Sequence, residues 1–246
     1  MKEVSLKDLL EAGCHFGHRK ERWHPRAKDF IYLEKEGTHI IDLVKTKEGL
    51  DKASAFVKSL ASQGREIVFV GTKRQAKGVV LEEAKRVDAP YFSERWIGGF
   101  LTNWSEVSKN FGRMKTLREN IKNKSGIFKK KEIVLFERQL KKMENFYGGV
   151  EKLANPPSAL FIVDIRHEEA ALREAKRTEI KTVAIVDTNS DPTLVDFPIP
   201  ANDDAVGSIK YITNYLAEAY AEGKKLLEKE AANKENVKAH PSTSSG

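Results

Sequence analysis

Arg65-Glu-Ile-Val-Phe-Val-Gly-Thr72 decides the fold. Its centre is an unbroken run of β-branched, aliphatic and aromatic residues, the pattern of a strand buried on both faces. Ala159-Leu-Phe-Ile-Val-Asp164 and Thr182-Val-Ala-Ile-Val-Asp187 repeat that pattern. Helical patterns fill the spaces around these runs, over roughly 46–62, 73–88, 167–178 and 204–222. Strands spaced by helices of this length pair in parallel through right-handed crossovers. The expected fold class is α/β, a parallel sheet flanked by helices. Phe30-Ile-Tyr-Leu33 and His39-Ile-Ile-Asp-Leu43 read as two further strands across a Glu-Gly turn at 36–37.

The stretch 105–150 breaks the alternation. Ile133, Phe136, Leu140, Met143, Tyr147 and Val150 recur every three or four residues. That is a heptad seam with charged residues between. Val107, Phe111, Met114, Leu117 and Ile121 form a matching stripe, and Asn123-Lys-Ser-Gly126 offers a reversal between the two. The expectation is an antiparallel helical hairpin inserted into an α/β domain made of 1–104 and 151–222. From Gly223 to 246 the sequence is a charged helix end and then a polar tail, too poor in apolar residues to pack and expected to be mobile.

The chain has 246 residues and a formal net charge of +7, with one cysteine. A single thiol excludes an internal disulfide framework and a four-thiolate metal site. No apolar run approaches the roughly 20 residues that span a bilayer. The N-terminus lacks the unbroken apolar stretch of a signal peptide, and the reading is a soluble, cytoplasmic protein with no membrane partner.

The charge is unevenly spread. Residues 105–150 carry 12 basic and 5 acidic side chains, whereas 151–222 carry 7 and 13. A second basic cluster is Arg19, Lys20, Arg22, Arg26 and Lys28, interrupted only by Glu21. Clustered cations with aromatics nearby are the electrostatic footprint of a polyanion, and two separate clusters favour nucleic acid over a merely solvated face.

Other motifs point to competing chemistries. Gly71-Thr-Lys-Arg-Gln75 leaves a strand and opens a helix, where backbone N–H groups can meet an anion. One glycine is not a dinucleotide fingerprint or a Walker loop, so a plain strand-to-helix turn is the simpler reading, with Lys73 and Arg74 free to meet a phosphate of a polymer. Asp164 and Asp187 end strands, where open α/β folds place ligands, so a metal- or nucleotide-dependent enzyme is the rival class. Acids at such positions also cap helices and turns. Cys14, His15 and His18 have metal-ligand types at short spacing, but no second ligand pair accompanies them, and no zinc is expected. Arg22-Trp-His-Pro-Arg26 and Arg95-Trp-Ile-Gly-Gly-Phe100 each join a cation, a ring and a turn former, suited either to stacking on bases or to packing a corner. A third class, a protein-interaction module, is offered by the acidic 151–222 half.

Six stretches together carry a resemblance: Leu10-Glu-Ala-Gly-Cys-His-Phe-Gly-His18, Thr38-His-Ile-Ile-Asp-Leu43, Gly71-Thr-Lys-Arg-Gln-Ala76, Arg95-Trp-Ile-Gly-Gly-Phe-Leu-Thr-Asn103, Val183-Ala-Ile-Val-Asp-Thr-Asn-Ser-Asp-Pro192 and Ile199-Pro-Ala-Asn-Asp-Asp-Ala205. In this order they resemble the signature blocks of the bacterial-type ribosomal protein S2 family. Ala201, Gly207 and His24 depart mildly from that pattern. The resemblance implies a flavodoxin-like or Rossmann-like domain with an inserted coiled-coil hairpin. It implies a non-enzymatic constituent of the small ribosomal subunit, bound to small-subunit rRNA between head and body, with ribosomal protein S1 as a neighbour. It implies no cofactor, no small-molecule substrate and no catalytic residue. Combined with the charge pattern, it points to Arg19, Lys20, Arg22, Trp23, Arg26 and Lys28, to Lys73, Arg74 and Arg95, and to Lys109, Arg113, Lys115, Lys129, Lys130 and Lys131 of the hairpin as the rRNA-binding residues.

Overall fold

The computed structural model describes residues 3–122 and 128–239, with side chains as far as Ala232. Its centre is a parallel sheet of β4 (Ile67–Val70), β5 (Tyr91–Phe92), β6 (Ala159–Ile162), β7 (Lys181–Val186) and β8 (Phe197–Pro200), in the order β5-β4-β6-β7-β8. The three quoted runs are its three inner strands. Their side chains divide by alternation. Ile67, Phe69, Phe161, Val183 and Ile185 enter one core layer, and Val68, Val70, Leu160, Ile162, Ala184 and Val186 enter the other. Both faces are therefore covered, which is why these strands read as continuous apolar runs.

The first layer is roofed by α2 (Leu43–Ser62), α3 (Lys77–Arg86) and α7 (Val206–Ala239). Asp42 starts α2 by accepting a hydrogen bond from the Val44 N–H at 2.9 Å. Gly71 ends β4 where a Cβ would lie 2.6 Å from Val80 Cγ2, so only glycine lets α3 pack this close to the strand. The second layer is roofed by α6 (Glu169–Arg177) and by the base of the hairpin, including Val107 and Val150.

The hairpin consists of α4 (Trp104–Lys122) and α5 (Lys130–Tyr147). The reversal expected at Asn123–Gly126 lies outside the described residues. An edge-to-face ladder joins hairpin to core: Phe92–Phe100, Phe100–Trp104, Trp104–Phe111 and Phe111–Tyr147 have centroids 4.8 to 6.2 Å apart. Position 223, where the sequence places the start of the charged tail, falls inside α7. A Cβ at Gly223 would meet the Lys58 carbonyl oxygen at 2.4 Å, so the helix is pressed against α2 there. The last part of that tail, 240–246, lies outside the described residues.

A second, antiparallel sheet holds β1 (Phe16–Arg19), β2 (Ile31–Lys35) and β3 (Thr38–Ile41), in the order β1-β3-β2. The turn between β2 and β3 is Glu36-Gly37, both with positive φ, as a tight hairpin demands. A short helix α1 (Leu6–Glu11) precedes it, and 3-10 turns at Lys20–Arg22 and Pro25–Phe30 connect β1 to β2. This lobe sits on the carboxyl end of the parallel sheet. His24 N–H donates to the Thr188 carbonyl at 2.8 Å, and Asn202 N–H to the Cys14 carbonyl at 3.1 Å. Cys14 is fully buried, and burial raises its thiol to about 11.

Candidate nucleic-acid interface

The strand order reverses between β4 and β6, so the carboxyl ends of these strands frame the crevice where folds of this class bind nucleotides. Here the crevice is filled by the chain's own charges. The Glu168 carboxylate accepts from the Thr72 N–H and hydroxyl, both at 2.7 Å, and so occupies the donors a phosphate would need. Lys73 Nζ lies 2.9 Å from Asp164, 3.1 Å from Asp203 and 2.6 Å from Asp204. Burial opposes its charge, yet these carboxylates outweigh that cost and hold the ammonium above the usual lysine range.

Asp164 and Asp187 are absorbed in the same way. Asp164 accepts from the N–H groups of Arg166 and His167 as well as from Lys73. Asp187 accepts from the N–H groups of His18 and Thr188 and from the Thr188 hydroxyl. His18 fixes the small lobe to this edge, its Nδ1 3.1 Å from Asp187 and its Nε2 3.4 Å from Asp204. Contact with Asp187 raises the His18 pKa. Burial, followed by the charges of Asp164 and Asp187, pushes Asp203 up to about 7. Among the described residues, His18, Asp203 and Asp204 are the group whose ligand-type atoms come within 4.8 Å of one another, as a metal ion would require. His15, the other histidine of the Cys14-His-x-x-His18 motif, does not join them.

Lys73 thus serves the protein's own acids. Its neighbour Arg74 is exposed and makes no ion pair among the described residues. The first basic cluster surrounds the 3-10 turns of the small lobe. Arg19, Arg22 and Lys28 are exposed and form no ion pair among the described residues, whereas Lys20 pairs with Glu34 at 2.8 Å. Arg26 is tied down: its guanidinium donates to Asp191 at 2.8 Å and to the Thr193 hydroxyl at 2.9 Å. Trp23 stands 37 % exposed, its inner edge against His39 with centroids 5.5 Å apart.

The second arginine–tryptophan motif is built the other way. Trp96 is buried, and its indole N–H donates to Glu174 at 3.0 Å. The same carboxylate accepts from the N–H groups of Gly99 at 2.8 Å and Leu101 at 3.0 Å. Burial works against the Glu174 charge, but these donors prevail and hold its pKa below the usual glutamate value. Arg95 lies over the Phe146 ring, 5.6 Å from its centroid, and pins the base of α5. On the hairpin, Lys109 pairs with Glu106, while Arg113, Lys115, Lys129, Lys130 and Lys131 are exposed and unpaired among the described residues.

Sequence reasoning missed Glu168 and Glu174, the two carboxylates that organise the crevice and the Trp96 corner. Only spatial neighbours identify them, since each serves donors more than 70 residues away.

A family model described as ribosomal protein S2 matches residues 9–223. A small ribosomal subunit protein uS2 from Coprothermobacter proteolyticus is 49% identical over 227 residues, covering 91% of this chain and 84% of that protein. One from Cytophaga hutchinsonii is 44% identical over 249 residues, covering 97% and 98%. One from Bifidobacterium longum is 46% identical over 237 residues, covering 95% and 83%.

Proposed function

The chain belongs to the ribosomal protein S2 family, and on that premise we propose that it binds small-subunit rRNA between head and body as a non-catalytic scaffold supporting subunit assembly and translation. Its role is structural, and its place is the ribosome, in the cytoplasm. The observation that carries the rRNA reading is the set of exposed cations Arg19, Arg22 and Lys28, unpaired among the described residues, beside the exposed Trp23. Phosphate contacts from such arginines and lysines supply affinity and release counterions. An indole ring beside them can stack on an unpaired base. The exposed cations of the hairpin and Arg74 extend the same chemistry. Lys73, Arg26 and Arg95 act on the protein side of the interface, by holding the surfaces that carry these groups. The acid-rich 151–222 half repels RNA and suits protein neighbours, ribosomal protein S1 among them.

The internal hydrogen bonds of the strand-end acids support the non-catalytic reading: Asp164 accepts on both carboxylate oxygens, and Asp187 accepts three hydrogen bonds on its Oδ1. Co-sedimentation tests the proposal. The purified chain is expected to pellet with small subunits lacking it and to be released as salt rises. Failure to pellet at low salt contradicts it.

A further inference from the structure

The hairpin has two outward faces, and they differ. On α5 the half-buried Ile133, Phe136, Leu140, Met143 and Tyr147 turn toward α4. Opposite them, at three- and four-residue spacing, stand Lys130, Lys131, Val134, Leu135, Arg138, Lys141 and Lys142, all exposed. This face holds five cations, and the exposed Glu137, four residues before Lys141, is the one acid at its edge. Among the described residues none of the five makes an ion pair. The other two acids of α5 are engaged elsewhere: Glu144 accepts from Arg118 of α4 at 2.9 Å, and Glu132 accepts from the Lys129 N–H at 2.7 Å. The outward side of α4 is more mixed: exposed Lys109, Arg113 and Lys115 stand among Ser105, Glu106, Gly112, Thr116 and Glu119, and Lys109 pairs with Glu106 at 2.5 Å.

Resting on the rRNA reading above, we infer that the outward face of α5 docks along the sugar–phosphate backbone of double-helical rRNA. Lys130 to Lys142 extend over about 18 Å at the rise of an α-helix, so the cations span several successive phosphates of one strand. The stripe carries no aromatic ring, so it cannot stack unpaired bases as Trp23 can. Its apolar members are aliphatic, Val134 at 46 % and Leu135 at 60 % exposed. They suit the shallow minor groove of an A-form duplex, where ribose is presented. The two basic regions therefore take different forms of RNA, a loop or single strand at Trp23 and a duplex at α5. Arg138, Lys141 and Lys142 join the interface although they lie outside the lysine run of 129–131.

The test compares the full chain with a variant carrying Arg138→Gln, Lys141→Gln and Lys142→Gln. A control carries Lys176→Gln, Arg177→Gln and Lys210→Gln, exposed cations outside both basic regions. Probes are small-subunit rRNA, an RNA duplex of about 16–20 base pairs, a single strand of the same length, and an acidic peptide. The α5 variant is expected to lose about tenfold or more in affinity for rRNA and duplex. Its log–log salt slope should shrink by about 2–3, the share of three phosphate contacts. Single-strand binding and the thermal melt should stay unchanged, and the control should match the parent chain. Duplex and rRNA binding equal to the parent overturns the inference, as does a loss confined to the acidic peptide. If the parent chain itself shows no salt-dependent rRNA binding, the functional reading fails instead, and the two failures are distinct.

Discussion

Arg22-Trp23 and Arg95-Trp96 are nearly the same words in the sequence and opposite objects in the structure. Trp96 has its indole N–H on a carboxylate and two neighbouring rings, Phe92 and Phe100, at centroid distances of 5.1 and 5.3 Å, and Arg95 is laid over Phe146. Among the described residues, Trp23 has one ring neighbour, His39, and Arg22 beside it makes no ion pair. The difference comes from what each loop meets. The 95–103 loop closes over the second core layer and is stitched to α6 through Glu174, whereas the 20–28 turns lie outside the small sheet with only their far side anchored to the parallel sheet. A motif of cation plus ring is therefore structural or functional according to the donors and apolar surface facing it.

The largest effect expected of this contrast is at Trp96. Trp96→Ala should cost roughly 3–5 kcal/mol, because it empties a packed corner and leaves Glu174 short of a donor. Thermal or denaturant unfolding reads this directly. A loss below about 1 kcal/mol would make the two tryptophans alike after all.

Glu174 sharpens the same point with pH. Its folded pKa is held below the usual value of 4.5, so its contribution is fully present above that value and is lost as pH falls through the folded pKa. Glu174→Gln is expected to cost roughly 2–3 kcal/mol at pH 7, where a charged acceptor is lost. The gap between parent and variant should close as the pH drops below 4.5. Stability curves across pH 3 to 7 for both proteins check this, and a constant gap would refute it.

Trp23→Ala should leave the melt nearly unchanged and weaken rRNA binding by about 1–3 kcal/mol, the range for one stacked base. Paired melting and binding assays decide it, and destabilisation without loss of binding would put Trp23 in the structural class. The smallest effect is at Arg22. Arg22→Ala should reduce the salt slope by roughly 0.7–0.9, one phosphate contact, with no shift in melting temperature. Arg26→Ala is the companion measurement. Its ion pair with Asp191 is surface-exposed and worth about 0–1 kcal/mol, so that variant should slightly loosen the lobe.

Much of the architecture was legible because the determining signals are local. The three inner strands announce themselves by apolar runs, and the hairpin by its two stripes. Three of the edge strands, β8, β5 and β1, do not. β8 reads Phe197-Pro-Ile-Pro200, and two prolines disguise a strand that an edge position tolerates. β5 has only two residues, too few for a period. β1 contains Gly17, where a Cβ would lie 2.8 Å from Thr188 Cγ2; its glycine reads as a turn but serves close approach.

The candidate site was legible in its charges and not in its pairings. Lys73 looks free in the sequence because Asp164 and Asp203 lie 91 and 130 residues further on. Arg26 meets Asp191 across 165 residues. Only the folded chain separates cations that are spent on the protein from those left for a partner. Arg138, Lys141 and Lys142 escaped notice for the complementary reason: their shared face emerges once α5 and its seam are fixed.

The central claim is that unspent cations bind small-subunit rRNA. Affinity of the full chain for that rRNA, measured across a range of salt concentrations, tests it most directly. Each phosphate contact contributes roughly 0.7–0.9 to the log–log slope, so several contacts from the two regions predict a slope steeper than about −3. A slope near zero, or equal affinity for a neutral polymer, would contradict it.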